Sequence, residues 1–196
     1  MNLKTNLFER VESGKGLFAV ETISLIYNAL TSILILLLYT RMDHPGTMLL
    51  ERAGIVVLTF TLIFLYQAFP CRLTAFVRMV VQMSLLAYWY PDTFEFNRLF
   101  PNLDHIFASN EQALFGCQPS VEFAKLCPSI WFSEPFNMGY FFYYPMMLIV
   151  VVYYFVKRFE WFEKICFVLV TSFFIYYFIY IMLPVAGPQF YFPAIG

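Results

Sequence analysis

The stretch Trp161–Phe192, WFEKICFVLVTSFFIYYFIYIMLPVAGPQFYF, decides the fold class. From Trp161 to Leu183 it supplies the roughly 20 apolar residues that a helix needs to cross a hydrocarbon layer. Pro184 stops the helix, and Gly187 and Pro188 resist restarting it. The chain is therefore expected to leave the membrane near Leu183, with Phe190, Tyr191 and Phe192 at the interface, where aromatic side chains collect. The rest of the chain has the same character. Hydrophobic residues make up 61% of its 196 residues and charged residues 13%, against about 25% charged in a soluble domain. So much apolar surface does not fit inside one soluble core of this size. The expected fold is all-α, a polytopic membrane helical bundle in one domain.

Five spans are expected, at 17–40, 53–69, 73–90, 136–156 and 161–183, with Pro70, Pro91 and Pro184 closing the second, third and fifth. Glu21 can sit at the headgroups, and Arg78 can snorkel back to the surface. A tight hairpin at Phe69–Arg72 reverses the chain between the second and third spans. No short apolar run with a small-residue cleavage site follows the polar leader Met1–Lys15, so the first helix is expected to act as an uncleaved membrane signal. Orientation follows the basic residues. With the N-terminus inside, the inner segments hold Lys4, Arg10, Lys15, Arg72, Arg78, Lys157, Arg158 and Lys164. The outer ones hold Arg41, Arg52, Arg98 and Lys125, eight against four. This places the N-terminus in the cytoplasm and the C-terminus outside, which in a bacterial inner membrane is the periplasmic side.

The outer segment 91–135 is too long for a bare connection. Within it, Asn102–Gly116 and Ser120–Leu126 read as amphipathic interfacial helices, the first capped by Asn102 or Asp104 and ended by Gly116. The segment is either a lid over the helix ends or a cap that binds lipid headgroups. Cys117 and Cys127 both lie in it, close enough in sequence for a disulfide in an oxidising compartment. Cys71 and Cys166 read as small buried apolar residues.

Chemistry-bearing residues are few. His44 and His105 are the only histidines. No His/Cys set has metal-ligand spacing, and there is no phosphate-cradling glycine loop or nucleophile elbow. The near-zero net charge gives no reason to expect a nucleic-acid partner. Asp104 and His105 are neighbours but point about 100° apart on a helix. They serve either as a functional pair or as a cap and an interfacial anchor. Tyr176, Tyr177 and Tyr180 either line a pocket or pack as aromatics.

Several motifs occur in order: Asn102-Leu-Asp-His105, Leu114-Phe-Gly-Cys-Gln-Pro119, Ser133-Glu134, Gly139-Tyr-Phe141 with Tyr143-Tyr144, and Leu183-Pro-Val-Ala-Gly-Pro188 followed by Phe190-Tyr191. Together they resemble the N-terminal part of the inositolphosphotransferase-like (inositol phosphorylceramide synthase-like) branch of the type 2 phosphatidic acid phosphatase superfamily, in a style similar to bacterial members of Bacteroidetes type. The resemblance spans most of 89–196. It implies a membrane bundle that transfers or hydrolyses phosphoryl groups on lipids at its outer face, through a phosphohistidine and without a metal or other cofactor. Covalent catalysis of this kind splits a hard displacement in two, and basic side chains neutralise the transition state.

The chain departs from that pattern at the reacting groups. It has no Pro-Ser-x-His or Ser-Gly-His stretch, no later histidine with its aspartate, and no Lys-x6-Arg-Pro motif. Gln189 stands where some relatives have a basic residue. No residue of this chain is therefore assigned as catalytic. Asp104, His105, Gln189 and Tyr191 are expected to line a headgroup pocket, with the remaining helices of the domain closing its other wall and a phosphorylated membrane lipid as partner. The alternatives are a non-catalytic membrane scaffold and an unrelated lipid-binding or transporter-like bundle. Charges paired in mid-span would favour the last, and the sequence offers few.

Overall fold

The computed structural model describes residues 7–11, 16–126 and 129–195. Helices run over Ala19–Leu37 (α1), Pro45–Ala68 (α2), Arg72–Ser84 (α3), Leu86–Asn97 (α4), Asp104–Phe115 (α5), Pro119–Leu126 (α6), Ile130–Lys157 (α7), Phe159–Met182 (α8) and Pro188–Ile195 (α9). Among the described residues, four of them are long and apolar enough to cross a membrane: α1, α2, α7 and α8. The helical character read from composition is thus present, with helices that suit a multi-pass membrane protein.

The boundaries differ from the expected spans in three places. The second helix starts at Pro45 rather than near 53, because proline at the first helical position has a preset φ and lacks only an N–H that would be orphaned there. The third segment is two helices meeting at Leu85, and it runs through Pro91 to Asn97. Leu85 keeps a right-handed helical backbone (φ −63°, ψ −17°). The buried positions Ala75, Arg78, Met79, Gln82, Leu86, Trp89, Asp92 and Phe96 continue one face across the joint. The fourth span begins at Ile130, six residues before 136, and keeps Pro135 and Pro145 inside it. The outer segment is therefore shortened at both ends by helix.

α8 is the hub. It packs against α1, α3, α4 and α7, while α1 also meets α2 and α3. Its inward face is Phe162, Cys166, Val170, Phe174, Tyr177 and Ile181, at spacings of three and four residues. With Val20, Tyr27, Ile55, Met79 and Trp89 most of that face forms the main core. Ile181 instead joins a smaller cluster of Ile35, Met42, Met48 and Phe96 at the far end. Tyr177 stays in the core because its hydroxyl donates to the Leu86 carbonyl (3.0 Å), whereas Tyr176 and Tyr180 are exposed. Tyr177 and Tyr180 pack as aromatics, with ring centroids 6.4 Å apart.

Contacts define the two ends. At one, Arg10 pairs with Cys71 as a backbone bridge, Thr74 Oγ1 donates to the Phe69 carbonyl (2.7 Å), and Arg72 lies over Phe159 (4.9 Å). This holds the reversal at Phe69–Arg72. At the other, Arg98 bonds Asp43 (2.6 Å), and the Asn97 amide donates to the Tyr180 carbonyl (3.0 Å). α3 and α4 carry the chain from the first end to the second.

Candidate functional site

The site begins where α8 stops. Pro184 ends the helix, and Gly187 takes φ +87°, a backbone conformation that costs a glycine little. The turn between them aims two successive N–H groups at the start of α5. Asp104 receives both: Ala186 N donates to Oδ2 (2.7 Å) and Gly187 N to Oδ1 (2.9 Å). Asn102 completes the clamp, its amide donating to Asp104 Oδ2 (2.7 Å) while its oxygen accepts the Asp104 N–H (2.8 Å). Leu103 N donates to the Pro184 carbonyl (2.8 Å). Burial pushes the Asp104 carboxyl up, but the N–H groups of Ala186 and Gly187 and the Asn102 amide outweigh it, and the group titrates below the usual carboxylate range.

Beside the clamp, α5 and α9 enclose a groove of about 200 Å³, lined among others by Asp104, Phe107, Glu111, Val185, Tyr191 and Phe192. Of the expected pocket residues, Asp104 and Tyr191 share this groove. His105 and Gln189 are exposed and do not line it. Asp104 is turned inward to the Pro184–Gly187 turn, while His105 is exposed. Among the described residues no lysine or arginine lines the groove. Gly116 ends α5 in the left-handed conformation (φ 67°), as its type and place led one to expect. Cys117 follows it, half-buried, and Cys127 lies outside the described residues. No group of His, Cys, Asp or Glu that could hold a metal is present among the described residues.

Among the described residues two buried ion pairs lie within the bundle, and sequence reading missed both. Arg78 grips Glu21 with Nε and Nη2 (2.7 and 2.5 Å), both side chains being essentially inaccessible. Its guanidinium lies over Phe18 (4.0 Å) and Tyr66 (4.8 Å). Arg78 does not snorkel out, and Glu21 does not rest among headgroups. Arg52, expected in an outer loop, is the second. It donates to Asp92 (2.6 Å), to Thr31 (3.3 Å) and to the Met48 carbonyl (3.2 Å), with Trp89 at 5.3 Å from its guanidinium carbon. Thr31 lies ten residues past Glu21 on α1, so the two pairs stand about 15 Å apart along it. A signal for Arg52 existed: Met48, Arg52, Ile55, Thr59, Leu62 and Tyr66 recur at helical spacing on the buried face of α2.

No family model, curated protein or solved structure matches this chain.

Proposed function

We propose that this chain is the N-terminal membrane part of a lipid phosphatase or inositolphosphotransferase-like enzyme that acts on phosphorylated lipids at the outer face of a bacterial inner membrane. The clamp of Asp104 on the Ala186 and Gly187 amides carries the reading. It joins Asn102–His105 to Leu183–Pro188, two of the motifs on which the resemblance rests, at one end of the bundle. In this reading the α3–α4 pair is a fifth membrane crossing with a joint at Leu85. The N-terminus lies in the cytoplasm, and α5, α6 and the Pro184–Gly187 turn lie outside. Taking the buried Arg78 from the inner side and the buried Arg52 from the outer side leaves seven basic residues against three, so the bias keeps its sign.

The histidines and phosphate-holding cations fall, on this reading, to further helices of the same domain. The reading frame beyond Gly196 tests it. An open frame with Pro-Ser-x-His and a later His and Asp, whose product releases phosphate from phosphatidic acid in detergent, supports the assignment. A stop codon with no such frame overturns it.

One observation favours a second reading, a lipid-binding or transporter-like bundle. Ionisable side chains facing the interior of a membrane bundle commonly mark a pathway, and Arg52–Asp92 stands level with the middle of α1. Uptake or exchange of a solute by proteoliposomes of the 196-residue chain, lost in Arg52→Leu, would decide for it.

A further inference from the structure

The groove between α5 and α9 has one charged group left to offer. Both oxygens of Asp104 are occupied by the Pro184–Gly187 turn and by Asn102. Glu111 lies seven residues further along α5, so it falls on the same face two turns on, and it lines the same groove. It makes no ion pair among the described residues. Phe107 lies between the two carboxylates in sequence and also lines the groove. Across from them, α9 presents Tyr191 and Phe192, whose rings are 5.4 Å apart at 66°.

A phosphate would meet only carboxylate charge here. An ammonium group meets the opposite: a free carboxylate, aromatic rings whose faces attract cations, and apolar walls for its carbon substituents. The surroundings point to a lipid as the source of that ammonium. Ile106, Phe107 and Phe190 are exposed around the groove, at the end of the apolar helices, which suits residence among headgroups.

We propose that the α5–α9 groove binds the ammonium end of a zwitterionic phospholipid headgroup, with Glu111 as its counter-charge. The proposal rests on the groove's own charge and walls and is independent of any phosphoryl-transfer role.

The test is calorimetric titration of the purified chain in detergent with short-chain phosphatidylethanolamine, phosphatidylglycerol and free ethanolamine. Saturable binding of the phosphatidylethanolamine is expected, with phosphatidylglycerol weaker by about tenfold or more. Glu111→Gln should weaken the phosphatidylethanolamine by about tenfold and leave phosphatidylglycerol unchanged. Glu111→Lys should reverse the preference, a result that an unfolded chain would not give. Equal binding of the two lipids, no saturable binding, or undiminished binding in Glu111→Gln overturns the proposal. Free ethanolamine held as tightly as the lipid overturns the lipid source.

Discussion

Replacing Asp104 by asparagine should open the Pro184–Gly187 turn without unfolding the bundle. The carboxylate accepts three hydrogen bonds, two at Oδ2 and one at Oδ1. An amide of the same shape keeps one oxygen. Its best placement sets that oxygen at Oδ2 and turns its NH₂ toward Gly187 N–H, so one bond is lost and two donors face each other. A bond to a charged group contributes about 1.5–3 kcal/mol, so about 2 kcal/mol of local stability should go, or roughly a 30-fold rise in opening. Amide exchange at Ala186, Gly187 and Leu103 reads that opening directly. Asp104 belongs to neither apolar cluster, so the unfolding transition of the helices should stay in place. Acid should act like the mutation. Because the folded carboxyl titrates below its usual range, its contribution is fully present above about pH 4 and is lost as pH falls through the depressed value. Unchanged exchange at Gly187 in Asp104→Asn, or turn opening that begins near pH 6, would refute the clamp.

The buried pair at the other end should behave as a coupled unit. Glu21→Gln or Arg78→Met alone leaves a buried charge unpaired and should cost about 3–5 kcal/mol, while the double variant should cost far less than the sum, as read by denaturant unfolding in detergent. Additive losses would show that the two groups do not meet. Reporter fusions after Arg41, Asn102, Lys157 and Pro193 should read outside, outside, inside and outside; an inside signal after Asn102 would place the groove on the wrong face. The 196-residue chain alone should release no phosphate from lipid substrates, since a nucleophile and an acid–base group must stand within about 3 Å of the reacting atoms. Turnover abolished by His105→Ala would contradict this and make Asp104-His105 a working pair.

Helix class was legible because lipid solvent imposes a simple rule: long apolar runs must close their own backbone hydrogen bonds. The ends of those runs were harder to place. Proline was taken as a stop at Pro91, yet α4 passes through it to Asn97. A missing N–H and a displaced carbonyl weaken a helix locally, but packing can outweigh that cost. Trp89 and Phe96, on either side of Pro91, are both fully buried. Charge misled in the same way. Arg52 was counted in an outer loop, and Asp92 fell inside the expected outer segment 91–135, as suits isolated charges that avoid hydrocarbon. That rule speaks of unpaired groups. Paired and turned inward, the same residues take the core positions that the spacing of their helices assigns them.

The candidate site was legible only in part, for a reason that lies in the backbone. Asp104 and His105 adjoin in sequence but diverge by about 100° on a helix, which left a functional pair and a cap with an interfacial anchor both open. What faces Asp104 comes instead from 82 and 83 residues away, the amides of Ala186 and Gly187. Those donors belong to main chain, which carries no residue-type signature. Only Pro184, Gly187 and Pro188 hinted that a turn would stand there. The turn and Asn102 take both oxygens of Asp104. The charge free to meet a ligand passes seven residues on to Glu111, on the same face of α5. The charge the groove offers is then negative, which is the complement the proposed ammonium ligand requires.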